Sequence, residues 1–178
     1  MIRSFCIVFT ISVLGCGGEN GRAPAVENRP PTQEEMIEEN RNAIKLENHD
    51  IELYVRRSGH EMLSTGTGIR YRFVNDVEGE KAAPGQWAMV NYAALLIGGD
   101  TAYASDPGRP EAFKVEMDDV ESGLHEAIQL MSPGDSAVII IPSYRAHGIT
   151  GDQHRIPTRS SIIYHVGLVK VSGTPFDQ

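Results

Sequence analysis

Gly123-Leu124-His125-Glu126-Ala127-Ile128-Gln129-Leu130-Met131-Ser132-Pro133-Gly134-Asp135, followed by Ser136-Ala137-Val138-Ile139-Ile140-Ile141-Pro142, is the stretch that decides the fold. Leu124, Ala127, Ile128 and Met131 recur at helical spacing, so a short helix with one apolar face is expected. Ser132-Pro133-Gly134-Asp135 cannot continue it, because proline presets a turn and glycine relieves it. The β-branched run over 136–142 then reads as a buried strand that stops at proline. Strand patterns lie on either side, over 87–97 and 161–171. One short helix amid several strands predicts an α+β domain in which a curved antiparallel sheet wraps around that helix.

Working outward, Ile69, Tyr71 and Phe73 alternate with Arg70 and Arg72, the period of a half-buried strand. Residues 75–85 are a polar loop or hairpin, and 87–97 a long strand. Gly98-Gly99-Asp100 turns the chain into a short strand over 101–105. Residues 112–117 alternate again, with Phe113, Val115 and Met117 on one side. The long segment 143–160 is rich in glycine, proline and polar residues, and loops of this size are usually functional or mobile. Upstream, Thr32 and Glu35 have the spacing of a capping box, and Met36, Ile37, Ile44, Ile51, Tyr54 and Val55 form an interrupted apolar stripe. Arg56-Arg57 ahead of Gly59 suit a helix end, so a helix is expected over 32–57, with a break near Asn48 left open. It is either a packing helix with a solvated face or an extension that docks a partner or a second copy.

The chain has 178 residues, room for one domain and appendages, and a net charge of −8. That acidity argues against a nucleic-acid partner, which would want a basic face. Residues 5–14 are apolar, too short to span a bilayer but suited to the hydrophobic part of a signal peptide. Val13-Leu14-Gly15-Cys16 follows the pattern of a bacterial lipobox, in which the cysteine is acylated. The expected division is a lipoprotein signal peptide over 1–15, a flexible linker over 16–31, a helical extension over 32–60 and a folded domain over 61–178. With Cys6 removed and Cys16 lipidated, no thiol remains for a disulfide or a nucleophile. The 6 histidines show no paired ligand spacing, so no metal is expected, and Ser143 and Ser160 lack the context of a hydrolytic nucleophile.

Taken in order, Val90-Asn91-Tyr92 with Leu95, Phe113-Lys114-Val115, Val120-Glu121-Ser122-Gly123-Leu124 and Met131-Ser132-Pro133-Gly134-Asp135 resemble the FK506-binding family of peptidyl-prolyl cis-trans isomerases. So do Ile141-Pro142-Ser143, Ala146-His147-Gly148, Gly151, Ile156-Pro157 and the closing strand, and the likeness covers 86–171. The amino-terminal half, with Thr65-Gly66-Thr67-Gly68-Ile69-Arg70-Tyr71, is similar to the gliding-motility-associated lipoprotein branch of that family.

The resemblance implies a prolyl pocket between sheet and helix that needs no cofactor and no metal. Tyr92 and Tyr103 would form one wall, with Phe113 beside them and Val115 where the family has an aromatic. Val120 and Glu121 would lie on the segment whose backbone meets a substrate carbonyl, and Leu124 would form the floor in place of tryptophan. His147 would stand for a tyrosine hydroxyl, Ile156 and Tyr164 would close the far side, and Ala104 replaces an acidic residue. The implied activity is isomerisation of prolyl bonds in unfolded or exported proteins at a bacterial envelope membrane, facing the periplasm through a lipid anchor. The departures at Ala104, Leu124 and His147 imply weaker or altered activity and keep open a chaperone or assembly factor that binds prolyl segments without useful turnover.

Overall fold

A computed structural model describes residues 29–176. The expected signal segment 1–15, the acylation at Cys16 and most of the 16–31 linker lie outside the described residues. Among the described residues, two α-helices, α1 (Gln33–Ser58) and α2 (Ser122–Ile128), accompany one seven-stranded sheet. Its strands are β1 (Leu63–Ser64), β2 (Arg70–Asn75), β3 (Trp87–Leu96), β4 (Thr101–Ala104), β5 (Glu111–Lys114), β6 (Ser136–Ile141) and β7 (Ile162–Ser172). The order is β1-β2-β6-β7-β3-β4, with β5 also paired to β3, and every pairing is antiparallel. Register shifts between Phe73 and Asn75, Met89 and Val90, and Ala94 and Leu95 bend and twist the strands.

The sheet is apolar on both faces where β6 and β7 pair. Ala137, Ile139 and Ile141 join Ile162, Tyr164 and Val166 in the main core, which α2 covers with Leu124, Ala127 and Ile128. The alternate residues Ile140 and Ile163 point the other way and pack with Ile51 of α1. That two-sided burial explains why β6 is an unbroken apolar run rather than an alternating one.

The capping box of α1 is present: Thr32 Oγ1 accepts from the Glu35 N–H and the Glu35 carboxylate accepts from the Thr32 N–H at 2.8 Å. Gly59 ends the helix at φ +68, a left-handed conformation that glycine adopts without Cβ strain. The helix runs unbroken past Asn48, because Glu47 and Ile51 on either side are held by the body of the protein. The 112–117 expectation also needs correction. The strand ends at Lys114, Glu116 takes φ +62, and Met117 is exposed rather than facing the core with Phe113 and Val115. β1 was not expected; it is a two-residue strand too short to show a period.

Asp135 fixes the turn after α2. Its carboxylate is buried and accepts from the Ser132 N–H at 2.6 Å and the Val77 N–H at 2.5 Å, with Lys81 Nζ at 3.7 Å. The polar segment between β2 and β3 is thereby tied to the turn.

Candidate functional site

A hollow of about 620 Å³ opens between the sheet and α2. Four strands and two connecting segments build its wall. β3 supplies Val90 and Tyr92, β4 Tyr103, β5 Glu111 and Phe113, and β7 Tyr164 and Val166. The entry to α2 supplies Val120, Glu121 and Leu124, and the loop between β6 and β7 supplies Ala146, His147 and Asp152. Tyr92, Tyr103, Phe113, Val120, Glu121, Leu124, His147 and Tyr164 therefore share one cavity, though they come from both ends of the domain. Val115 and Ile156 do not line it; both are buried in the main core behind the wall.

Close packing sets the position of α2. A Cβ on Gly123 would meet Ile141 Cγ2 at 2.3 Å and the Arg145 carbonyl at 3.1 Å, so the helix start sits directly against the end of β6 and the 3-10 turn Ser143–Arg145. Buried His125 holds the other side. Its Nδ1 accepts from the Glu116 N–H at 2.9 Å, its Nε2 lies 3.0 Å from the Asp118 carbonyl, and its ring meets Phe113 edge-on at 5.5 Å. Leu124 thus becomes a floor that cannot shift without disturbing β6.

Each tyrosine of the wall donates its hydroxyl to a carboxylate. Tyr92 reaches Glu111 at 3.3 Å, Tyr164 reaches Glu121 at 2.8 Å, and Tyr103 bonds to Asp152. Glu121 begins α2 but its side chain makes no cap; it turns into the hollow, where His147 Nε2 also meets it at 2.9 Å. Burial pushes the Tyr92 phenol up to about 12, with the Glu111 charge acting in the same direction. Burial raises Tyr164 further, reinforced by Glu121. The hydrogen bond to Asp152 raises Tyr103. Partial burial works to raise Asp152, but the Tyr103 hydroxyl and the N–H groups of Ile156, His154 and Arg155 outweigh it and hold this carboxyl well below the usual range.

The bonds orient the rings, and phenols raised above the ordinary 10.0 are protonated at neutral pH, so these tyrosines present aromatic faces rather than an acid or base. Such a surface can bind an apolar ring and a twisted amide. Glu111, Asp119 and Asp152 belong to this wall but carry no hydrophobic pattern that would mark them in the sequence. Asp152 had one usable signal: Gly151-Asp152 within a polar loop suits an aspartate that accepts backbone N–H groups two to four residues on. It places a carboxylate on Tyr103 where Ala104 offers none. Among the described residues, no group of three or more histidine, cysteine, aspartate and glutamate side chains is placed to hold a metal ion.

Fold and hollow agree with a family match: the FKBP-type peptidyl-prolyl cis-trans isomerase family matches residues 78–169, and the chain belongs to it. A relative from Escherichia coli K12, the FKBP-type 22 kDa peptidyl-prolyl cis-trans isomerase, is 32% identical over 108 residues, which is 61% of this chain and 52% of that protein. The crystal structure of FkpA from Escherichia coli superposes with a TM-score of 0.65 at 25% identity, covering 79% of this chain and 65% of that one. A peptidyl-prolyl cis-trans isomerase from Pseudomonas syringae does so at 0.64 and 25% identity, covering 74% of this chain and 95% of that one. The chain spans about half the length of the curated relatives it matches, at 52% and 53% for the first of them.

Proposed function

We propose that this chain catalyses cis-trans isomerisation of prolyl bonds in exported proteins, and that Tyr92, Tyr103, Phe113, Val120, Glu121, Leu124, His147 and Tyr164 form its substrate pocket. The observation that carries this reading is the single hollow in which aromatic side chains from β3, β4, β5 and β7 face the floor of α2 within the family-matched region. Rotation about an amide costs about 18–20 kcal/mol because resonance is lost, and an unaided prolyl bond takes roughly tens to hundreds of seconds. A twisted amide has less charge separation than a planar one. An apolar, water-poor cavity favours it over both planar states, and a site that binds the twisted form more tightly than either end state lowers the barrier. Tyr92 and Tyr164, with centroids 6.0 Å apart, offer one aromatic wall for the pyrrolidine ring.

The lipobox-like Val13-Leu14-Gly15-Cys16 supports attachment to a bacterial envelope membrane through acyl chains on Cys16, with the domain facing the periplasm. Among the described residues no helix is long and apolar enough to cross a membrane. Likeness to the gliding-motility-associated branch supports a role in envelope assembly. Proline-limited refolding of a test protein decides the enzymatic reading. Catalytic amounts of the full chain accelerate the slow phase, and Tyr92→Ala removes the acceleration. Suppressed aggregation without acceleration would instead make the protein a binder of prolyl segments.

A further inference from the structure

The loop between β6 and β7 is held at both ends by a helix outside the matched region. The family match begins at residue 78, whereas α1 ends at Ser58. β6 and β7 finish their pairing at Ile141 and Ile162, which brings Ser143 and Ser161 close together at the base of the loop. Glu47 of α1 reaches both. Its Oε1 accepts from the Ser143 N–H at 2.5 Å and the Ser161 hydroxyl at 2.6 Å, and its Oε2 accepts from the Ser143 hydroxyl at 2.9 Å. Both serines are buried. The 3-10 turn begins after Pro142, which makes no side-chain cap of its own, so Glu47 supplies that cap across a separation of 96 residues. A second tie lies one helical stretch earlier. Arg159 Nη2 donates to Glu39 Oε1 at 3.3 Å and to Asn40 Oδ1 at 3.2 Å.

The clamped loop is the one that carries Ala146, His147 and Asp152 into the hollow. Those residues meet the rest of the wall through His147 on Glu121 and Tyr103 on Asp152. We infer that Glu47 is a positioning residue of the isomerase site: from α1 it closes the base of the loop and so fixes where His147 and Asp152 stand. A charged acceptor on buried donors is a strong link, and at the base of the loop it adds to the ties that Ser122 and Glu126 make to Arg145. This inference rests on the proposed isomerase reading, so its test separates the two.

The experiment compares the full chain with Glu47→Ala, Glu47→Gln and Ile51→Ala, reading prolyl-peptide turnover, thermal midpoint and amide hydrogen exchange. Ile51 sits one turn further along the same helix, in the second core against Ile140 and Ile163, where its apolar side chain makes no hydrogen bond to the loop, and it serves as the stability control. Glu47→Ala is expected to lose about tenfold in kcat/KM, the scale that a small misplacement of binding groups produces. Amides of 143–161 should then exchange faster while those of β3 do not. Glu47→Gln, which keeps an acceptor oxygen and can donate to a serine hydroxyl, should recover most of the activity. Ile51→Ala should lower the midpoint and leave kcat/KM intact. Unchanged activity in Glu47→Ala, or an equal loss in Ile51→Ala, overturns the inference. Should Glu47→Ala not fold, Ser161→Ala, which deletes one hydroxyl of the clamp, carries the same comparison. If the wild-type chain has no turnover, the isomerase reading falls. The clamp is then judged by prolyl-peptide affinity and loop exchange, and no difference between wild type and variant refutes it.

Discussion

Tyr103 of β4 donates its hydroxyl to the Asp152 carboxylate, 49 residues later in the chain, and so links one wall of the hollow to the loop above it. The Arg155 guanidinium lies 5.2 Å from the centroid of the same ring and donates to the Ala102 carbonyl at 2.8 Å. One aspartate therefore orders the loop through backbone N–H groups and the wall through a phenol. Removing each partner should give different losses. Tyr103→Phe keeps the ring face and should stay within about threefold of wild-type kcat/KM, whereas Asp152→Ala releases both loop and ring and should lose about tenfold. Peptide-turnover assays on the two single variants and the double variant measure the coupling; purely additive losses would break the link between loop and wall.

The depressed Asp152 carboxyl gives a pH dependence of defined sign. A group with a lowered folded value adds stability that is complete above its unfolded value, ordinarily 3.8, and is lost as pH falls toward the folded value. Urea midpoints followed down through that acidic window should fall less steeply in Asp152→Asn than in wild type.

At the alkaline end the sign reverses. Tyr92 and Tyr164 have raised values, so their contribution is complete below the ordinary 10.0 and is lost as pH rises through the folded values, about 12 for Tyr92. Alongside the raised Tyr103 and Tyr144, a phenolate absorbance titration should show Tyr92 and Tyr164 titrating late and becoming ordinary in denaturant. Phenylalanine at either position removes one late step.

Gly123→Ala should damage the site without touching the hollow directly. The new methyl would lie 2.3 Å from Ile141 Cγ2, so α2 must move away from β6. Overpacking of this kind costs about 1–3 kcal/mol. The same movement shifts Leu124 and Glu121, so kcat/KM should fall even at temperatures where the variant is fully folded.

Asp135→Ala tests the scaffold alone. It leaves the buried Ser132 N–H and the Val77 N–H without their carboxylate. The expected loss is about 3 kcal/mol in urea unfolding, from donors left unpaired. Asp135 is outside the hollow, so turnover of the folded fraction should be preserved.

The helix-turn-strand unit around α2 and β6 could be read in the sequence because local chemistry and burial agree there: an apolar face, a proline-glycine turn and a β-branched run. Thr32, Glu35 and Gly59 likewise marked the ends of α1 through groups that act within one helical turn. Reading failed where distant contacts decide. The sequence left a break near Asn48 open, but Glu47 and Ile51 gain partners from β6, β7 and the loop that separates them, and the helix continues. Met117 kept the alternating pattern past the point where Glu116 adopts positive φ and ends the strand. Val115 and Ile156 carry no mark that separates core from cavity wall. Glu111, Asp119 and Asp152 sit in a site whose expected chemistry was apolar, and their partners are tyrosines remote in sequence. The shared hollow was visible only through likeness to a family, since the pieces that build it are separated by most of the domain.

The sheet order carries a consequence for how this protein is made. β7 is the last of the described strands, yet it lies between β6 and β3 and, among the described residues, is the bridge between the two halves of the sheet. Its pairing reaches from Trp87 to Ser172. Until it leaves the ribosome, β2 with β6 and β3 with β4 and β5 are separate fragments with open edges and no enclosed space between them. So many distant pairings slow folding. A nascent copy must therefore wait for β7 before its sheet can close around the hollow.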